Sequence, residues 1–231
     1  MNWLDFWNGS HSIYVCDKHR HCHHARISAD IIDRLHGPTG LVIDYGCGEA
    51  LFAQTVAKHC RKLILSDGAP KIRQLLKERY QEASNISVLS PDDVLALDRG
   101  SVDCMIIHSV LQYVPQADTE TLLGSLADLL APSGRLIIGD IIPPDHTIFA
   151  DAGALLALAW QEQFMTKAVI GLVRTFLSDY RKIRADHGLT CYAQSELEQM
   201  GQRLGLTIER TPLNIGFDQG RMTFELRKPT L

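Results

Sequence analysis

Two groups of residues in this 231-residue chain have the types and spacings that do chemistry. The first is CDKHRHCHH, residues 16 to 24, where four histidines and two cysteines fall within nine positions. Imidazoles and thiolates ligate metals, and a neutral imidazole moves protons near pH 7. Asp17 can cap a helix running to about Leu35, closed by the HGPTG turn. On that helix the spacing of four sets His19, His23, Ile27, Ile31 and Leu35 along one drifting stripe. His21 points to nearly the opposite side, and Cys22 and His24 flank the stripe about a quarter turn away. These side chains cannot all converge on one ion. An i,i+4 pair from His19 and His23 can chelate zinc, but no further ligands announce themselves, so no metal is assigned. A solvated helix face and the roof of an active site are the other two readings.

The second group surrounds a glycine turn. LVIDYGCGEA sets Gly46, Cys47 and Gly48 directly after an apolar run and before a helical one, with Asp44 just ahead of them. In a doubly wound fold the loop at the carboxyl end of the first strand is where ligands bind, and glycine lets the backbone approach them closely. A dinucleotide fingerprint wants a small residue three positions after Gly48; that position is Leu51, while Ala50 is the small one. Asp44 would repel a pyrophosphate and attract an ammonium or sulfonium group. Asp67 closes the next strand in KLILSDGAP, about twenty residues further on, where a carboxylate can accept hydrogen bonds from both hydroxyls of a ribose. Its alternative role is to cap the helix that follows Pro70.

The elements that must position these groups alternate. LVIDY (41–45), KLILSD (62–67), ISVL (86–89), VDCMIIH (102–108) and RLIIGDI (135–141) read as buried strands. Helical stretches at Ala50–Cys60, Lys71–Ala83 and Ala117–Leu130 lie between them. This β-α-β-α rhythm predicts an α/β fold with a parallel sheet, right-handed crossovers and helices on both faces. In the tail, LTIERTP (206–212) and RMTFELR (221–227) form a hairpin-like pair around NIGFDQG, so the last strand should run antiparallel. Residues 143–190 form an insertion that opens with tandem prolines, continues as apolar helix and ends in a basic piece.

At VIDYGCGEA, LSDGAP, SPDDVLAL followed by SVDCMIIHSVLQYV, and LLAPSGRLIIGD, the sequence resembles the class I S-adenosylmethionine-dependent methyltransferases of the small-molecule type. The pieces occur in the family's order from about residue 40 to 141, with Ala50 in place of the loop's third glycine. The resemblance implies a Rossmann-like, seven-stranded sheet with a reversed last strand in one domain. Within that domain, residues 1–36 would form a lid helix, 37–142 the cofactor half, 143–190 a helical cap, and 191–231 a C-terminal helix and hairpin. It implies S-adenosylmethionine as cofactor and S-adenosylhomocysteine as product. Asp44, Gly46, Cys47 and Gly48 would surround the methionine end, and Asp67 with Gly68 the ribose. Asp93, with Asp92 as the competing choice and the Val94 amide nearby, would meet the adenine. His108 would end the fourth strand, where the backbone carbonyl faces the cofactor's ammonium, with Leu111 and Tyr113 on the pocket wall. An N-terminal helix commonly covers the cofactor in such enzymes, which favours the roof reading and makes Tyr14, His19 and His23 the polar groups it delivers.

Methylation of a hydroxyl needs a proton acceptor, and an imidazole is suited to it. His23, His19 and His108 are the candidates, with His146 and His187 further back. The insertion, with Leu155, Leu158, Trp160, Phe164, Met165, Ile170 and Phe176, is richer in apolar residues than one helix face needs. It is read as a pocket for a lipophilic acceptor or a homodimer seam, with plain packing as the alternative. Asn214 and Arg221 flank the tail hairpin and would reach the pocket or fix the turn. A net charge of −4 gives no broad pull toward nucleic acid. HSVLQY after the fourth strand lacks the motif that clamps a base's exocyclic amine, so a small acceptor is expected. No uncharged run reaches the length of a bilayer span, the start shows no leader pattern, and the cysteines form no CxxC pair. A cytoplasmic methyltransferase is expected. The rivals are a non-catalytic module that binds the same cofactor and a nicotinamide-dependent oxidoreductase.

Overall fold

The computed structural model describes residues 14–36, 39–176 and 188–229. Their order is α1 (Asp17–Leu35), β1 (Thr39–Tyr45), α2 (Ala53–Ala57), β2 (Cys60–Ser66), α3 (Pro70–Arg79), β3 (Ile86–Leu89), α4 (Pro91–Leu95), β4 (Val102–His108), a 3₁₀ turn (Leu111–Tyr113), α5 (Gln116–Asp128), β5 (Leu130–Ile141), α6 (Ile148–Gln161), α7 (Met165–Phe176), α8 (Gln194–Arg203), β6 (Thr207–Arg210) and β7 (Met222–Arg227). One seven-stranded sheet runs β3-β2-β1-β4-β5-β7-β6. Five strands are parallel, and β7 inserts antiparallel between β5 and β6.

The sheet forms because its central strands are apolar on both faces, as a covered parallel sheet requires. Alternate residues point to opposite sides. Ile43, Met105, Ile107, Ile138 and Phe224 pack with Leu123 and Leu126 of α5 and Leu197 of α8. Val42, Leu65, Ile106 and Ile137 pack on the other face with Val56 of α2, Leu76 of α3, and Ile31 and Leu35 of α1. The apolar end of the α1 stripe is therefore what clamps that helix to the sheet.

Local chemistry moves several boundaries from their expected places. Cys16, not Asp17, is the N-cap of α1, its Sγ accepting from the His19 amide at 3.5 Å. Ala50 is held left-handed at φ 39°, so the helix expected from Ala50 starts only at Ala53. β5 begins at Leu130 because that residue already pairs with Val102.

The cap helices build a small core of their own. Leu158, Ala159, Phe164 and Ala168 pack with Val15, Cys16 and Phe217. Gly171 is needed there, since a Cβ at that position would lie 2.1 Å from a Val15 methyl. Ile148, Phe149, Trp160, Val169 and Ile170 face outward. Among the described residues no helix is long and apolar enough to cross a membrane.

Candidate active site

The carboxyl ends of β1, β2, β4 and β5 converge, and the site is built on them. The turn after β1 is fixed by the Gly46 and Cys47 amides, which donate to the Ser66 carbonyl at 2.7 and 2.9 Å. Gly46 (φ 77°) and Gly48 (φ 55°) sit in the region that favours glycine, and a Cβ on Gly46 would strike Val110 at 2.2 Å. The next carbonyls are held from the end of α3: Arg79 donates to Glu49, and the Tyr80 hydroxyl to Ala50 at 2.5 Å.

Two carboxylates flank this turn in different states. Asp67 accepts from the Gly48 amide at 3.0 Å and the Ala69 amide at 2.8 Å. It thus braces the glycine turn and is not the cap of α3, which is Ala69. Burial raises its proton affinity, while those two amides and Arg73 pull it back. No described residue donates a hydrogen bond to the half-buried Asp44, and burial together with the Asp67 charge pushes its carboxyl up to about 7. The Cys47 thiol, in the same surroundings, is pushed well up by burial and both acids, so it stays protonated.

At the start of α4, Asp93 closes a capping box with Ser90: its carboxylate accepts from the Ser90 hydroxyl at 2.6 Å and the Ser90 amide at 3.2 Å. The exposed Asp92, whose charge bears on Tyr45 at the end of β1, is the neighbouring acid outside that box. Val94, which follows, is fully buried. Gly68 offers its carbonyl to Arg73 at 2.9 Å.

Above the strand ends lies α1. Tyr14 packs against His19, His23 and His24 with ring centroids 5.4, 5.5 and 5.6 Å away, and His19 stacks on Phe164 of the cap at 5.7 Å. Burial depresses all three imidazoles: His19 and His24 to about 4, and His23 well below its ordinary value. They are neutral at pH 7 but not equivalent. His19 Nδ1 accepts the Val15 amide at 3.3 Å, so its neutral proton sits on Nε2 and the ring can only donate outward. His24 Nε2 meets the Tyr14 hydroxyl at 3.1 Å. His23 has ring neighbours but no hydrogen-bond partner among the described residues. His21, on nearly the opposite side of the helix from the stripe, packs edge-on to Phe52 beyond the glycine turn at 5.0 Å, and Arg20 reaches Glu49 at 3.5 Å. These contacts seat the helix on the turn.

His108, at the end of β4, belongs to a third layer. Its Nε2 donates to the Ile215 carbonyl at 3.3 Å, and its Nδ1 lies 3.2 Å from the Ser109 hydroxyl, which donates to Asp140 at 2.5 Å. Ser109 (φ 57°) and Asp140 (φ 64°) are both left-handed non-glycine residues, a conformation costing about 1–2 kcal/mol each. Arg221 donates to Asp140 at 2.7 Å and to Asp151 of α6 at 2.8 Å, and its Nε faces Asp218 at 3.5 Å without a hydrogen bond. Burial works against its charge, but the three carboxylates outweigh that and hold Arg221 above its ordinary value. His146 contacts Asp151 and Asp218 at 2.9 and 3.1 Å.

Those contacts correct several expectations. Arg221 is a latch between the sheet and the cap, its nitrogens facing Asp140, Asp151 and Asp218. Asn214 is buried, accepting from the Asp140 amide (3.1 Å) and Thr223 (2.7 Å), and so fixes the bulge and the tail loop. Trp160 is 77% exposed and turns away from the site, because Leu158 and Ala159 occupy the inner face of α6. Among the described cap aromatics, Phe164 is the one that reaches the roof. Tyr113 is half-buried in the 3₁₀ turn behind a buried Leu111. His187 and the Phe176 side chain lie outside the described residues. Ser109, Asp140 and Asp151 were not anticipated as site residues, and His24 was placed only beside the stripe. The only sequence sign was an acid in RLIIGDI at a strand position that should have been apolar.

Residues 43–138 match the methyltransferase domain family model. The chain is 26% identical over 127 residues to nodulation protein S of Sinorhizobium fredii, covering 54% of this chain and 56% of that protein. It is 27% identical over 111 residues to the ubiquinone biosynthesis O-methyltransferase of Xanthomonas axonopodis pv. citri, covering 47% and 46%. The chain thus spans about half the length of these curated relatives. Among solved structures, magnesium protoporphyrin IX methyltransferase of Synechocystis PCC 6803 with bound S-adenosylmethionine superposes with a TM-score of 0.60 at 16% identity, over 98% of this chain and 89% of that one. The fold is that of the class I S-adenosylmethionine-dependent methyltransferases. Within it, residues 43–138 are similar to a methyltransferase domain.

Proposed function

We propose that this chain transfers a methyl group from S-adenosylmethionine to a hydroxyl of a small, lipophilic acceptor in the cytoplasm. The observation that carries the cofactor is Asp44: a desolvated carboxylate without a donor, beside a glycine turn, fits a cationic amino-acid-bearing nucleoside. When bound, that cofactor supplies a methyl carbon activated by a sulfonium. Asp44 and the amides around Gly46 and Gly48 would hold its methionine end. Asp67, already facing the Gly48 amide, would take the ribose, and Asp92 the adenine edge in preference to Asp93.

The acceptor side is carried by the neutral histidines. His23, with no hydrogen bond of its own, is the group free to take the acceptor's proton, and His19 would donate to the acceptor through Nε2. Phe164 supports an apolar acceptor. The free cysteines suit a reducing compartment. The test is calorimetry with S-adenosylhomocysteine, followed by a screen of phenolic and other hydroxyl acceptors with labelled methyl donor. One-to-one binding and label transfer are expected. Binding of NAD(H) instead, or binding with no transfer to any hydroxyl acceptor, would overturn the proposal.

A further inference from the structure

The contacts around His108 contain one more hydrogen bond than they have protons. From the Ile215 carbonyl through the imidazole and the Ser109 hydroxyl to Asp140 there are three polar contacts, at 3.3, 3.2 and 2.5 Å. A carbonyl oxygen only accepts, and Asp140 is ion-paired with Arg221 at 2.7 Å. A neutral imidazole and one hydroxyl bring two protons. If Nε2–H bonds to Ile215 and Ser109 bonds to Asp140, Nδ1 faces the Ser109 oxygen with no hydrogen between them. Only an imidazolium completes all three contacts. The two left-handed residues that bring Ser109 and Asp140 together show that the fold maintains this arrangement against its own backbone preferences.

We infer that His108, Ser109 and Asp140 form a one-proton store that receives the proton released at the acceptor. This rests on the methyl-transfer reading above. As the acceptor's O–H bond breaks, its oxygen lone pair forms the bond to the methyl carbon and the C–S bond breaks onto sulfur. The proton goes first to His23. An imidazole so strongly desolvated cannot keep it, and His108 is the first of the neighbouring groups whose charge bears on His23. His108 is itself lowered by burial, but Asp140 and the Ile215 carbonyl oppose that, so the store is empty at rest and filled briefly during turnover. The charged groups facing it are Asp140 beside it, Arg221 ahead of β7, and Asp30, His23 and His24 on α1. Asp140 and Ser109 are thus positioning residues acting through His108.

Two-bond ¹H–¹⁵N spectra of the full chain with labelled histidine and S-adenosylhomocysteine, titrated with acid, read the store directly. Wild-type His108 is expected to hold its neutral proton on Nε2 and to gain a second on Nδ1 at low pH. In Ser109→Ala the midpoint should fall by about one unit or more, and in Asp140→Asn likewise. Ser109→Ala leaves every ion pair intact and is the deciding variant. In turnover it should lower kcat about tenfold or more with KM for the methyl donor unchanged, the acid limb moving with the spectroscopic midpoint. An unchanged midpoint, or equal losses in kcat and cofactor affinity, would overturn the store. Absence of homocysteine-nucleoside binding in wild type would instead remove the methyltransferase reading, and the two failures are separately visible.

Discussion

The two sides of the cleft recognise charge in opposite ways. The β1–β2 side is a carboxylate cradle in which Asp67 has two amide donors and Asp44 has none, so it is electrostatically unfinished until a cation arrives. The α1 side is a roof of imidazoles kept neutral by burial, with no net charge to offer the cofactor. In the proposed reading, one side binds through an uncompensated charge and the other reacts through a suppressed one. Desolvation does both, raising a carboxylate's proton affinity and lowering an imidazole's.

The largest effect should come from breaking the latch between the sheet and the cap, beneath both sides. Arg221→Met leaves Asp140, Asp151 and Asp218 facing each other without their cation, and loss of one partner from such a buried knot costs about 3–5 kcal/mol. Chemical denaturation should show that loss, or failure to fold. Next comes His23→Ala, expected to lower kcat by about 10²–10⁴ while S-adenosylhomocysteine affinity stays the same, whereas Asp67→Ala should weaken that affinity and spare the roof. A His23 variant that binds the nucleoside poorly would erase the division of labour.

Asp44→Asn sharpens the comparison because its two effects oppose. A carboxyl whose folded value is about 7, above its unfolded value near 4, favours folding at low pH and loses that contribution as pH rises through 7. The asparagine variant should therefore melt about 2–6 °C higher than wild type at pH 8 and no differently near pH 4, while losing the nucleoside. The smallest expected effect is Ala50→Gly. It relieves a left-handed alanine, so unfolding should be about 1 kcal/mol harder with little change in binding.

The cradle was legible in the sequence because it is local: a strand, a glycine turn and an acid lie within a few residues, and Asp67 closes the neighbouring parallel strand. The sheet was legible for the same reason, since runs such as VDCMIIH cannot be anything but buried. The roof was half legible. Periodicity placed His19 and His23 on one stripe with Ile27 and Ile31, but not the tautomer of His19, which depends on the Val15 amide. The layer beneath was hidden. Asp140, Asp151 and Arg221 come from a bulged strand, a cap helix and the tail, and their meeting depends on two left-handed residues that no periodicity announces. The sequence therefore left Arg221 and Asn214 open between reaching the pocket and fixing the turn, and the structure engages both in the fold.

The most direct measurement is the calorimetric affinity for S-adenosylhomocysteine from pH 5.5 to 8.5, in wild type and Asp44→Asn. If an unpaired Asp44 is what recognises the nucleoside's ammonium group, wild-type affinity should rise as pH increases through about 7 while the variant's stays weak and flat. Wild-type binding that ignores pH across that window, or an asparagine variant that binds as tightly, would contradict it.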